Sequence, residues 1–192
     1  DASVSIGKIL RITTDGVAAP GNPNLPGWAP EVWSIGHRNI QGAVLSPQTG
    51  ELWTVEHGAQ GGDELNKPQK GRNYGWPTIS YGRHYSGGKI GIGTHKAGME
   101  QPVYYWDPSI ATSGLEIYTG DLIPEWKGSI LVGGLAGAQL SRLVMENGKV
   151  AQEEELLSDQ GDRIRDIRQG PDGAVYVLTD DNDGKILRLS PR

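Results

Sequence analysis

The chain has 192 residues, a net charge of −5, 29 glycines, 12 prolines, no cysteine and no phenylalanine. The lack of cysteine excludes disulfide frameworks, thiolate metal sites and cysteine nucleophiles, and the scattered, mildly acidic charge offers no basic stripe for nucleic acid. No apolar run reaches the roughly 20 residues that cross a bilayer, so no membrane span is expected.

The start, Asp1-Ala2-Ser3-Val4-Ser5, has neither an initiator methionine nor a signal-peptide pattern, and is read as a cleaved or truncated product. Apolar residues rarely keep a 3.6-residue period, and Gly or Pro interrupts most windows, so the chain is all-β. Strand-type runs come first at 8–12 and 32–35. The loop Gly36-His37-Arg38-Asn39-Ile40-Gln41-Gly42 follows, then runs at 43–45 and 52–56. The latter enters Glu56-His57-Gly58-Ala59-Gln60-Gly61-Gly62-Asp63-Glu64, a glycine-rich loop with paired acids. Its carbonyl and carboxylate oxygens are the hard ligands that Ca²⁺ takes. Residues 66–101 form a long insertion rich in Gly, Tyr, His and Lys, expected as an ordered surface excursion with a packed turn at Asn73-Tyr74-Gly75-Trp76-Pro77. Further runs lie at 103–106, 114–118, 129–133 and 139–145, and Asn147-Gly148 marks a turn. A second arginine loop, Arg163-Ile164-Arg165-Asp166, opens the run at 164–169; Pro171-Asp172-Gly173 turns the chain into 175–179, and 185–189 closes the series.

Repetition sets the architecture. Gly7-Lys8-Ile9-Leu10-Arg11 recurs as Gly184-Lys185-Ile186-Leu187-Arg188, and Ser46-Pro47-Gln48-Thr49-Gly50-Glu51-Leu52-Trp53 is echoed by Gly170-Pro171-Asp172-Gly173-Ala174-Val175-Tyr176. An arginine-bearing loop, an apolar strand, a Pro-containing turn and an aromatic-ended strand are the order of a four-stranded β-propeller blade. At roughly 40 to 50 residues per blade the chain holds about three, fewer than a closed ring needs. Open edges are avoided by soluble proteins, so the remaining blades are expected to come from a partner polypeptide or to have been lost with it. Arginine stays charged and grips carboxylates with a planar fork. The three guanidiniums of Arg38, Arg163 and Arg165 are therefore expected to converge on one polyanionic small molecule; the competing reading is ion pairs with nearby carboxylates.

The ordered series comprises Gly36 to Gly42, Glu56-His57-Gly58 through Gly61-Gly62-Asp63-Glu64-Leu65-Asn66, Lys70-Gly71-Arg72-Asn73-Tyr74-Gly75-Trp76-Pro77, Gln101-Pro102-Val103-Tyr104-Tyr105-Trp106 and Arg163-Ile164-Arg165-Asp166-Ile167. Together these resemble the soluble aldose sugar dehydrogenases, relatives of soluble quinoprotein glucose dehydrogenase, over essentially the whole chain. The resemblance implies a six-bladed propeller that binds pyrroloquinoline quinone (PQQ) and Ca²⁺ and oxidises aldoses to lactones, with this chain as its C-terminal half. It implies that Arg38 and Asn39 lie beside the quinone, with Arg38 stabilising the developing oxyanion, and that Arg163 and Arg165 bind PQQ carboxylates. Trp106 matches an aromatic near the cofactor face, and Asp63 an acid near the substrate. Gly58 and Ala59 match carbonyl ligands of the catalytic Ca²⁺; Glu64 and the Tyr74 carbonyl match ligands of a second calcium.

Two departures stand out. Ala136 occupies the place of a PQQ-contacting lysine, for which Arg142 is a candidate substitute. The family's catalytic histidine has no counterpart, since His37, His57, His84 and His95 lie in other contexts, so the isolated chain is expected to be inactive without the N-terminal half. The resemblance further implies an artificial or respiratory electron acceptor and a periplasmic or secreted location. Two other functions suit the fold: a noncatalytic carbohydrate- or protein-binding propeller module, and a calcium-dependent lactonase. The lactonase requires side-chain ligands where this loop offers mainly the Gly58 and Ala59 carbonyls.

Overall fold

The computed structural model describes residues 1–191, and among them strands form four antiparallel sheets. Strands β1 (Lys8–Leu10) and β2 (Val32–Ile35) make a two-stranded piece. A four-stranded sheet follows in chain order: β3 (Ile40–Leu45), β4 (Leu52–Glu56), β5 (Asp63–Asn66) and β6 (Tyr104–Trp106). The next contains β7 (Thr112–Ile117), β8 (Ile130–Gly134), β9 (Gln139–Glu146) and β10 (Lys149–Leu156). The last contains β11 (Ile164–Gln169), β12 (Val175–Thr179) and β13 (Ile186–Leu189). Within each sheet every strand pairs with its neighbour in sequence, the up-and-down order of propeller blades.

The blades pack face to face around closely set first strands. A Cβ on Gly42 in β3 would fall 2.5 Å from the Ser113 carbonyl of β7, and one on Gly114 would fall 2.3 Å from Asp166 Oδ1 of β11. Glycine is what permits this approach. Strand β8 shows how the cores divide. Ile130 and Val132 face Val55, Leu65 and Leu115, whereas Leu131, on the opposite face by the two-residue period, meets Ile164, Ile167, Val175 and Val177. Both faces are buried, so the strand reads as an unbroken apolar run.

Strands β5 and β10 were not expected from sequence. Asp63-Glu64-Leu65-Asn66 reads as an acidic loop, yet Asp63 and Asn66 are fully buried because each is hydrogen-bonded in place. Strand β10 is the outermost of its blade and half-exposed, so its Gln152-Glu153-Glu154-Glu155 stretch carries no apolar alternation. Its register is set by a two-residue turn in which Lys149 pairs with Glu146, with Asn147 at φ 50° and Gly148 at φ 75°, the backbone a tight hairpin requires. Apolar side chains stand exposed near both ends of the chain, Ile6 just before β1 at 85% and Ile186 in β13 at 72%. Among the described residues no helix is long and apolar enough to cross a membrane.

Candidate cofactor and metal site

The loop between β2 and β3 is fastened from below by Glu56, the last residue of β4. The Arg38 backbone N–H donates to Glu56 Oε2 at 3.1 Å, and His37 Nδ1 lies 3.5 Å from the same oxygen. His37 is buried, with Nε2 2.8 Å from Ser34 Oγ and its ring stacked on Tyr74 at 4.8 Å. Held in this way, Arg38 donates from Nη1 to the His57 carbonyl at 3.1 Å and lies over the Trp76 ring at 5.2 Å. Asn39 is exposed, and its side-chain oxygen accepts from Gln41.

The adjoining glycine loop is closed by hydrogen bonds. Gly58 N–H donates to Asp63 Oδ1 at 2.8 Å, Ser109 Oγ donates to Asp63 Oδ2 at 2.7 Å, and Gly62 N–H donates to the Trp106 carbonyl at 2.8 Å. A Cβ on Gly58 would lie 2.1 Å from the Gly61 carbonyl, so only glycine fits. Asp63, expected as an acid near the substrate, instead lies fully buried behind the loop with both oxygens engaged. It orients the Gly58 peptide. The Trp106 ring, expected at the cofactor face, is 4% exposed and sits in the core between two blades, its indole N–H donating to Glu153 Oε1 at 2.7 Å. Its tie to the loop is its carbonyl.

Beneath the loop, Glu56 and Glu64 face each other across β4 and β5 in direct register. Asn66 Nδ2 bridges them, at 3.2 Å from Glu56 Oε1 and 3.0 Å from Glu64 Oε2. Burial, reinforced by the Glu56 charge, pushes the Glu64 carboxyl up to about 8. Like charges opposed on a ladder are destabilising. The buried Asn66 Oδ1 and His37 Nδ1 also have no hydrogen-bond partner. Glu56, Glu64 and Tyr74 line a cavity of about 10 Å³, room for one water-sized sphere. Among the described residues no group of three or more His, Asp or Glu side chains converges on one point, so a cation bound here would draw on backbone carbonyls as well.

Arg163 and Arg165, at the start of β11, share one carboxylate. Asp180 Oδ2 accepts from Arg163 Nη2 at 2.8 Å and from Arg165 Nη2 at 3.0 Å, and the two guanidiniums, Arg163 foremost, hold the Asp180 carboxyl below its usual range. Arg165 also lines an open cavity of about 340 Å³ with Gln41, Ser113 and Asp166. Arg163 and Arg165 therefore come together, while Arg38 has separate partners in His57 and Trp76. Arg142 does not substitute for a lysine at Ala136. It pairs with Leu131 three residues down the β8–β9 ladder from the turn that carries Ala136, and its guanidinium is spent on Glu154, Ser129 and the Glu125 carbonyl. Sequence reasoning missed Glu56, Asp180 and Glu153 as organising carboxylates; a buried acid ending an apolar strand, as in Trp53-Thr54-Val55-Glu56, was the available signal for the first.

Antiparallel blades carrying arginine loops and an oxygen-rich glycine loop at their strand ends define a β-propeller-type scaffold. The chain belongs to the glucose/sorbosone dehydrogenase family, whose sequence profile matches residues 1–188. Aldose sugar dehydrogenase YliI of Escherichia coli K12 is 45% identical over 190 residues, covering 97% of this chain and 51% of that protein. The apo-form crystal structure of the E. coli soluble aldose sugar dehydrogenase superposes with a TM-score of 0.92 over 97% of this chain and 55% of that one. The PQQ-bound aldose sugar dehydrogenase of Streptomyces coelicolor, 31% identical, gives a TM-score of 0.73 over 96% of this chain and 52% of that one. The chain spans about half the length of the curated relatives it matches first.

Proposed function

We propose that the complete protein is a PQQ- and Ca²⁺-dependent dehydrogenase oxidising aldoses at C1 to lactones, and that this chain supplies the half that binds the cofactor carboxylates and calcium. The observation that carries this reading is family membership together with a PQQ-bound relative of the same fold. The residues present fit the groups. Two guanidiniums on one carboxylate leave a positive charge over, so Arg163 and Arg165 can take a cofactor carboxylate while keeping Asp180. The Gly58 and Ala59 carbonyls, on the loop whose Gly58 N–H is held by Asp63, would hold the catalytic calcium. The facing Glu56 and Glu64, with the orphaned Asn66 oxygen, suit a second cation to which Glu64 and the Tyr74 carbonyl contribute. Trp106 serves through its carbonyl on Gly62.

When bound, PQQ supplies the two-electron oxidant and Ca²⁺ the Lewis acid. Arg38, held in advance by Glu56 and His57, stabilises negative charge developing at the reacting oxygens. No histidine here is placed as the base: His37 is buried between Ser34 and Tyr74, His57 is tied to the Thr112 carbonyl, and His84 and His95 stand on the exposed excursion. The base is assigned to the N-terminal half of the same protein, whose blades would also cover the apolar ends of the arc. An exported, periplasmic or secreted protein is the matching location.

The test is reconstitution of the full-length protein with PQQ and Ca²⁺ and assay of dye-linked aldose oxidation with lactone detection. Bound cofactor without oxidation of any aldose would overturn the reading. The 192-residue chain alone should bind cofactor weakly and turn over no sugar; robust oxidation by it would make one of its four histidines the base.

A further inference from the structure

Charge in this chain is segregated. Residues 67–99 contain Lys67, Lys70, Arg72, Arg83, Lys89 and Lys96 and no Asp or Glu; with six positive charges there and −5 overall, the rest of the chain carries −11. Lys67 and Arg72 are drawn to Glu51 and Glu100, at 2.7 and 3.3 Å. Among the described residues Arg83, Lys89 and Lys96 have no carboxylate within 4.0 Å. Arg83 and Lys89 are moreover partners in one antiparallel bridge, and the Lys89 ammonium donates to the Ile92 carbonyl at 2.7 Å rather than to an acid. Tyr85 and Ile92, which alternate with these cations in sequence, are exposed at 78% and 59%. Exposed apolar side chains in a segment of unpaired cations supply both the apolar and the charged contacts that protein interfaces use.

The lobe is fastened to the candidate site. Gln60 and Arg83 exchange backbone hydrogen bonds at 3.0 and 2.9 Å, and Gly62 packs directly on the Gly82 backbone. We infer that this lobe docks an acidic, soluble electron-transfer protein that reoxidises the enzyme, an inference that rests on the dehydrogenase reading above. Oxidising an aldose to a lactone releases two electrons and two protons; the protons pass to solvent, and the partner class takes both electrons, together or in two one-electron visits. A compact acidic partner can meet the lobe alone. An extended anionic surface, whether a lipid sheet or a nucleic acid, would also meet the field of the −11 remainder.

The experiment uses the full-length protein loaded with PQQ and Ca²⁺, an acidic cytochrome, a basic cytochrome and a neutral dye. The triple variant R83E/K89E/K96E should reduce the dye at the wild-type rate and keep its melting temperature. Its second-order rate with the acidic cytochrome should fall on the order of 10- to 100-fold at low salt, with the difference vanishing at high salt. The basic cytochrome should gain or stay level. Equal rates of the two proteins toward the acidic cytochrome would overturn the inference, as would charge-dependent binding to phosphatidylglycerol vesicles without any effect on the cytochrome. Binding of the acidic cytochrome is followed in parallel by calorimetry. Loss of dye reduction in the wild type then counts against the dehydrogenase reading, and absence of charge-dependent binding counts against the docking surface.

Discussion

The substitution Glu64→Gln tests the buried acid pair most directly. The folded carboxyl is pushed to about 8 from an ordinary value of 4.5, first by burial and then by Glu56. A raised folded value means that folding without metal is unaffected below about pH 4.5. It becomes progressively less favourable as pH rises, because the unfolded carboxyl ionises in that window and the folded one does not. At about 1.36 kcal/mol per pH unit, the gap amounts to on the order of 5 kcal/mol above pH 8. The glutamine amide would keep an oxygen for Asn66 without a charge. In EDTA, urea unfolding of wild type and variant should give similar stabilities near pH 5 and diverge towards pH 9 in favour of the variant. Calcium should raise the stability of the wild type at high pH and leave the variant nearly unchanged. Parallel pH profiles in EDTA would refute the reasoning, since they would mean that Glu64 ionises freely opposite Glu56.

Three other outcomes follow from the geometry. Gly58→Ala places a methyl 2.1 Å from the Gly61 carbonyl, and displacement of the loop, costing about 1–3 kcal/mol, should appear in titrations as weakened Ca²⁺ binding; unchanged affinity would free the loop from the role given to it. Arg38→Ala should lower turnover by roughly 10²- to 10³-fold with modest change in PQQ affinity, whereas Arg165→Ala should chiefly weaken PQQ binding; equal losses of affinity would dissolve that division. Leu131→Ala, in a fully buried position, should destabilise by about 2–5 kcal/mol in urea unfolding, and a loss below about 1 kcal/mol would contradict the packing of the second core.

The legible strands were those whose burial follows from their own side chains. The runs at 32–35, 52–56, 164–169 and 175–179 have the bounds that the structure gives them, because β-branched and apolar residues there meet blade neighbours on at least one face. Strand β5 escaped because its polar side chains are buried against partners outside the strand: Ser109 for Asp63, and Glu56 for Asn66. The Asp63 carboxylate looked available for chemistry for the same reason, since nothing local reveals that both its oxygens are occupied.

By itself, the sequence determined the β class, the blade repeat and the candidate chemistry, because strand period, turn residues and arginine loops are local properties of the chain. Only the tertiary structure decided which charges are free to act. It joined Arg163 and Arg165 on Asp180, enclosed Asp63, committed Arg142 to Glu154 and set Glu56 against Glu64. A charged group's role depends on what neutralises it and on how much water reaches it, and both are fixed by residues that meet only when the blades pack.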